Sequence, residues 1–229
     1  AVDPDVFAAF PGLQLAVAVA KDIDNTGEYP EIRSAWQSTW TEAQKAQGYG
    51  DVQSHPRVRP WRDQWRQIGI SSKKFPTSIE ALLRRTVKGG EPFFINPLVD
   101  FYNTVSLKHG VPAGGFDLAE ARGALALRLT KEGDHFQALD DNEVVAVPPG
   151  EVAYASGQTI LTRHFVWRQA RTALITSETR EVFLVAEILG GFEPGLAEAV
   201  QGDFEKGLKS YFGVESEIFC IDESMSTIS

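Results

Sequence analysis

The sequence predicts an α+β fold, a mixed or antiparallel sheet with flanking helices, and three observations carry that expectation. Helical spacing of apolar residues dominates the first half of the chain, and alternating segments dominate the second. Turns rich in Gly, Pro and Ser separate the alternating segments. No internal repeat or low-complexity tract interrupts the order, and nothing reads as an interdomain linker. A chain of 229 residues suffices for one sizeable core. Residues 1–50 are expected to form a strand-and-helix extension packed on a core made by residues 51–229, the whole being one structural unit.

Residues 12–20 read as a buried strand, followed by an Asp/Asn/Gly turn at 22–27. Pro30 and Glu31 suit the first turn of a helix running to about Gln47, with Gly48 and Gly50 as its stop. Trp36 and Trp40 stand four apart on that helix, and Trp61 and Trp65 repeat the spacing on a second, near 56–68. Arg62 and Arg66 are interleaved with the second pair. Such a helix can stack bases and hold phosphates, or it can bury its tryptophans while the arginines reach solvent. Thr77 with Glu80 makes a capping box for a third helix, stopped by Gly89-Gly90.

Asn96 can cap a fourth helix, and Pro97 fits its first turn, where a missing amide hydrogen costs nothing. Leu98, Val99, Phe101, Tyr102, Val105 and Leu107 fill a broad apolar stripe, and Gly110 ends the helix. A proline turn, the Gly114-Gly115 pair and Phe116-Asp117 then lead toward a strand at 124–129. The glycine pair reads either as a tight helix-to-strand turn or as a place where backbone amides approach a ligand. Further strands are expected near 143–147, 151–155, 158–165 and 181–189, with turns at Pro148-Pro149-Gly150 and Ser156-Gly157. A helix at 194–211 and a strand at 215–221 close the chain.

Composition narrows the function classes. Hydrophobic residues at 43 % and charged residues at 23 % are ordinary for a soluble globular protein. The longest apolar run, Leu13 to Ala20, is too short to span a bilayer, and no basic stretch precedes it as in a secretory signal. A cytoplasmic protein without a membrane partner is expected. The single cysteine, Cys220, allows neither an internal disulfide nor a cysteine metal cluster, and its apolar surroundings suggest a small buried hydrophobe. His55, His109, His135 and His164 lack metal-ligand spacing, so no metal or other cofactor is expected. Phosphate-binding loops and the serine-esterase elbow are missing as well.

The net charge of -9 argues against a protein that simply coats nucleic acid, but the charge is unevenly spread. Between Ser54 and Gly90, nine Lys or Arg residues face Asp63 and Glu80, a balance of +7. Between Glu178 and Ser229, eleven acids face three bases, a balance of -8. The basic segment offers Arg59, Arg62, Lys73 and Lys74 as phosphate contacts.

Residues 97–128 resemble the tRNA-editing module of the bacterial phenylalanyl-tRNA synthetase beta chain, made of that chain's third and fourth structural domains. The family pattern runs Val-Val-Asp-x-x-Asn-x-Val, then Gly-Gln-Pro-Met-His-x-Phe-Asp. Leu98-Val99-Asp100, Asn103, Val105, Gly110, Pro112, Phe116 and Asp117 fall in register with it without a gap. Thr176 to Leu184 is similar to the family's Thr-x-Glu-Thr-x-Asn-Val-x-Leu segment. The stretch ending Ser78-Ile79-Glu80-Ala81-Leu82-Leu83-Arg84-Arg85 looks like the lead-in of free-standing relatives. The resemblance covers roughly residues 50 to 212 and implies the module's fold.

It also implies a function: binding an aminoacylated tRNA and hydrolysing a mischarged ester in trans, without a metal and without aminoacylating activity in this chain. Such chemistry needs a pocket for the amino acid, donors for the developing oxyanion and a positioned water. By the resemblance, Gly114, Gly115 and Gln169 take the catalytic positions. Asn103, Trp167, Arg168, Arg171 and Glu178 take the substrate-binding ones. The sequence departs from the family at two places, because a family histidine falls at Gly114 and a family glutamate falls near Arg171. A larger pocket and a different amino acid are implied. The other reading is a catalytically silent module that binds an amino acid or tRNA as a sensor.

Overall fold

The computed structural model describes residues 1–46 and 50–228. Strand β9, Val182–Ile188, is buried at every one of its seven residues, as expected of an apolar strand covered on both faces. It lies between β1 (Gln14–Ala20) and β2 (Ala113–Asp117), and β10 (Ser216–Ile221) pairs with the far edge of β1. All three pairings are antiparallel. The N-terminal segment is therefore threaded through the protein: β1 is an interior strand, gripped on one side by β9 and on the other by the C-terminal strand.

A second sheet runs in the order β3 (Leu125–Leu129), β6 (Val152–Ser156), β7 (Thr159–Arg163), β4 (His135–Gln137), β5 (Val144–Ala146). A two-residue strand, β8 (Arg168–Gln169), pairs with β7 off that path. The β4–β7 pair is parallel and the others antiparallel, so the sheet is mixed.

The two faces of the first sheet anchor separate cores. Leu15, Val17, Phe116, Phe183 and Val185 meet Tyr154, Leu161 and Phe165 of the second sheet and its loops, together with Phe7, Phe10, Trp61 and Trp65. The opposite face, carrying Ala16, Ala18, Leu184 and Ala186, is covered by Leu98, Phe101 and Val105 and by Val200, Phe204 and Leu208. These belong to α5 (Pro97–His109) and α6 (Leu196–Phe212). Strand alternation produces the division, since successive side chains leave opposite faces.

The remaining helices are α1 (Pro4–Ala9), α2 (Pro30–Lys45), α3 (Arg59–Gln67) and α4 (Ser78–Val87). The expected end of α2 at Gln47 and Gly48 lies outside the described residues. Trp36 and Trp40 of α2 pack with Ile79 and Leu83 of α4. Trp61 and Trp65 are 0 % and 1 % exposed, so the tryptophans of α3 serve the core rather than stacking bases. The Thr77 hydroxyl caps α4 by accepting from the Glu80 amide at 3.3 Å. The other half of the capping box does not form, because the Glu80 carboxylate is taken by Arg62 and Arg84.

The best-read element is α5. The Asn96 side chain accepts from the Val99 amide at 3.0 Å, and Gly110 ends the helix in the left-handed region at φ 66°. Asn25, in the turn after β1, accepts from the Leu98 amide at 2.9 Å and donates to Asn96 and to the Thr176 carbonyl. Beyond the helix, Gly114 and Gly115 are strand residues paired with Val185 and Leu184, not a turn.

Candidate functional site

The two sheets part at the β2 edge, where a cleft of about 80 Å³ opens. One wall is β2, with Ala113, Gly114, Gly115 and Phe116; Val185 and Glu187 of β9 lie beneath it. Tyr154 of β6 and Thr162 of β7 face them, and the segment Phe165 to Gln169 closes the other wall. Ser78, at the start of α4, completes the rim.

The two glycines do different work. A Cβ added at Gly115 would lie 2.7 Å from Ile175 and 2.8 Å from Leu184, so that position must stay bare for the helix-side core to close. A Cβ at Gly114 would meet nothing within 4 Å. Gly114 shares a face with Phe116 and Val185, and the side chain it lacks would project into the cleft. Its φ is not in the left-handed region, so the position needs space rather than an unusual backbone.

The opposite wall is shaped by backbone strain. His164 and Phe165 adopt positive φ angles of 45° and 33°, rare for residues with side chains, and the Val166 amide closes back on the His164 carbonyl at 2.5 Å. The Glu151 carboxylate holds this turn by accepting from the Arg163 guanidinium at 2.7 and 2.6 Å and from the His164 amide at 2.6 Å. Burial, outweighing the attraction of Glu151, lowers the His164 pKa, and its ring packs on Phe75 at 3.9 Å. The turn delivers Gln169 to β2, where its side-chain amide donates to the Gly115 carbonyl at 3.0 Å. Trp167 lies edge-on to Phe75 at 4.7 Å. Arg168 lines the cleft while its guanidinium is tied to Asp140.

The structure brings together Gly114, Gly115, Trp167, Arg168 and Gln169. Three other expected residues do not line this cleft. Asn103 is buried on α5, 8 % exposed, beyond the sheet. Arg171 donates to Asn142 at 3.1 Å and braces the 139–142 loop. Glu178 is exposed on the turn between Thr176 and Thr179. That turn positions its neighbour instead: the Thr179 hydroxyl donates to Asp117 at 2.6 Å, coupling the two sequence motifs through a buried hydrogen bond.

Of the expected phosphate contacts, Arg59, Lys73 and Lys74 are exposed. Arg62 differs, since it is bound to the buried Glu80 at 2.7 Å with its own side chain 16 % exposed. An ion pair that satisfies a buried carboxylate is structural, and sequence spacing alone does not reveal it.

Sequence reasoning also passed over Tyr154 and Glu187. The Tyr154 hydroxyl donates to the Glu187 carboxylate at 2.8 Å. Burial pushes the Glu187 pKa up to about 8, against a weaker opposing effect of the Tyr154 hydrogen bond. Burial and the neighbouring acid together raise the Tyr154 phenol well above its usual range. The legible signal was an acid in the apolar run Val182-Phe183-Leu184-Val185-Ala186-Glu187-Ile188. Among the described residues no group of three or more His, Cys, Asp or Glu is placed to hold a metal ion. No helix among them is long and apolar enough to cross a membrane.

The family model for the B3/4 domain matches residues 61–212. The phenylalanine–tRNA ligase beta subunit of Pseudomonas putida is 28 % identical over 161 residues, covering 66 % of this chain and 19 % of that protein. The same subunit of Vibrio vulnificus is 31 % identical over 90 residues, 39 % of this chain and 11 % of that one. The chain thus spans less than a fifth of the length of these relatives. An N-terminal fragment of the phenylalanyl-tRNA synthetase beta subunit from Pyrococcus horikoshii superposes with a TM-score of 0.51 at 9 % identity, over 97 % of this chain and 53 % of that one. This last likeness is one of fold. The matched segment runs from Trp61 in α3 to Phe212 at the end of α6 and takes in both walls of the cleft, and the chain belongs to the B3/4 domain family.

Proposed function

We propose that this protein binds aminoacylated tRNA and hydrolyses a mischarged ester in trans, as a cytoplasmic editing-type deacylase that does not itself aminoacylate. The observation that carries the reading is the meeting of Gly114-Gly115 with Trp167-Arg168-Gln169 around one cleft, in a chain of the B3/4 family. The main-chain groups that the edge strand β2 leaves unpaired at the glycine pair polarise the ester and hold the water. Gln169, already hydrogen-bonded to Gly115, keeps the two walls at a fixed separation. The exposed Arg59, Lys73 and Lys74 supply phosphate contacts for the tRNA. The reaction uses neither a metal nor a covalent intermediate. Cys220 is raised in pKa by burial and lies on β10, outside the cleft.

A second reading, a silent amino-acid or tRNA sensor, is favoured by Gly114 and Arg171 standing where the family has a histidine and a glutamate. A deacylation screen across mischarged tRNAs separates the two. Turnover of one aminoacyl-tRNA, insensitive to a chelator, supports the deacylase; saturable tRNA binding with no turnover of any charged species supports the sensor.

A further inference from the structure

Glu187 occupies a place where an ordinary sheet position would hold an aliphatic residue. It is 4 % exposed and lines the cleft beside Gly114 and Val185. Its hydrogen-bond partner is a neutral phenol, Tyr154, and among the described residues no Arg, Lys or His forms an ion pair with it. A buried carboxyl without a cation is costly, and proteins meet that cost by keeping it protonated or by supplying a positive group. The neighbouring elements supply none. Strand β1 carries no titratable side chain, and β2 carries only Asp117, at the far end of its pairing with β9. Helix α6 lies on the opposite face of the sheet. Apart from Tyr154, the other titratable group lining the cleft is Arg168, whose charge is turned to Asp140.

The remaining lining favours a cation of external origin. Phe116, Phe165 and Trp167 present aromatic surface to the same space, and ring faces attract ammonium groups. We propose that Glu187, held by the Tyr154 hydroxyl, is the acceptor for a primary ammonium group of the ligand, the α-amino group of a small aminoacyl moiety. This deepens the deacylase reading and rests on its cleft, though not on turnover. Below the raised pKa of Glu187, docking proceeds with proton balance: the ligand arrives as R-NH₃⁺, the carboxylic acid releases its proton to solvent, and an ammonium–carboxylate pair remains.

The test uses L-alaninamide and L-lactamide, which differ by an ammonium in place of a hydroxyl and neither of which carries the scissile ester. Amide resonances of Gly114 and Gly115 are followed by NMR at about pH 7, with calorimetry in two buffers of unlike ionisation heat. Alaninamide is expected to shift both glycines and to bind about tenfold tighter than lactamide, releasing about one proton. Glu187→Gln is expected to bind the two alike, with no proton released. Equal affinities in the wild type, no shift at the glycines, or undiminished preference in Glu187→Gln each overturn the assignment. Ammonium preference without deacylation of any charged tRNA removes the catalytic reading and leaves this one standing. Deacylation without ammonium preference does the reverse.

Discussion

The Gln169 side-chain amide donates to the Gly115 carbonyl at 3.0 Å, joining residues 54 positions apart and fastening the short strand β8 to the edge strand β2. Gln169→Leu keeps the bulk and removes the donor. The expected stability loss is about 1 kcal/mol, the ordinary net value of such a bond. A deacylation rate that falls by more than the stability loss explains supports a positioning role. Measuring the urea midpoint and single-turnover rate on the same preparation makes the comparison.

Gly114 and Gly115 should respond oppositely to Val. Gly115→Val drives a side chain into Ile175 and Leu184 and is expected to cost about 1–3 kcal/mol or prevent folding. Gly114→Val enters open space at a strand position with an ordinary backbone, so its thermal midpoint should match the wild type or exceed it. Its branched side chain fills the cleft, and ligand binding and turnover should be lost. A destabilised Gly114→Val protein, or one that remains fully active, contradicts this geometry.

The basic surface can be probed without touching the core. Arg59→Glu, Lys73→Glu and Lys74→Glu, combined, reverse exposed charges and are expected to weaken tRNA binding. The slope of log affinity against log salt should fall by about one unit per lost phosphate contact. Arg62→Glu belongs outside this set, because it places a second acid against the buried Glu80 and should lower the thermal midpoint by itself. An unchanged salt slope in the triple variant would locate the tRNA elsewhere on the surface.

Glu187 makes a pH prediction with a definite sign. Its folded pKa, about 8, lies above the ordinary 4.5, so between those values the folded protein holds a proton that the unfolded chain has lost. The contribution of the neutral acid is fully present below about pH 4.5 and is lost as pH rises through about 8. Glu187→Gln mimics the protonated form. It should raise the thermal midpoint more at about pH 9 than at about pH 5. A pH-independent difference between the two proteins would place the carboxyl in contact with water.

Much of the frame is legible in the amino-acid sequence. Asn96, Pro97 and Gly110 mark the ends of α5 because capping and left-handed backbone are local chemistry, decided by the residues at the helix termini themselves. The apolar segments that form β6, β7, β9 and β10 are legible from composition and from turn residues such as Pro148-Pro149-Gly150 and Ser156-Gly157, which are also local chemistry. The grouping of Gly114, Gly115, Trp167, Arg168 and Gln169 as one site comes from the resemblance and not from spacing, because the two segments that hold them are expected to meet in the family's fold.

What the tertiary structure decided is which neighbours each residue has. Gly114-Gly115 reads locally as a turn, yet β9 recruits it as an edge strand, since the ladder gives partners to the backbone groups that face β9. Arg62 and Glu80 are both polar and both look like surface residues, but they lie 18 positions apart on different helices, and their folding together turns a phosphate contact into a buried pair. Tyr154 and Glu187 meet across 33 residues and two sheets. Local propensity and pattern follow from covalent neighbours and so are written in the sequence. Burial, pairing and the pKa shift of a carboxyl such as Glu187 depend on which distant groups exclude water from it, and only the folded chain determines those.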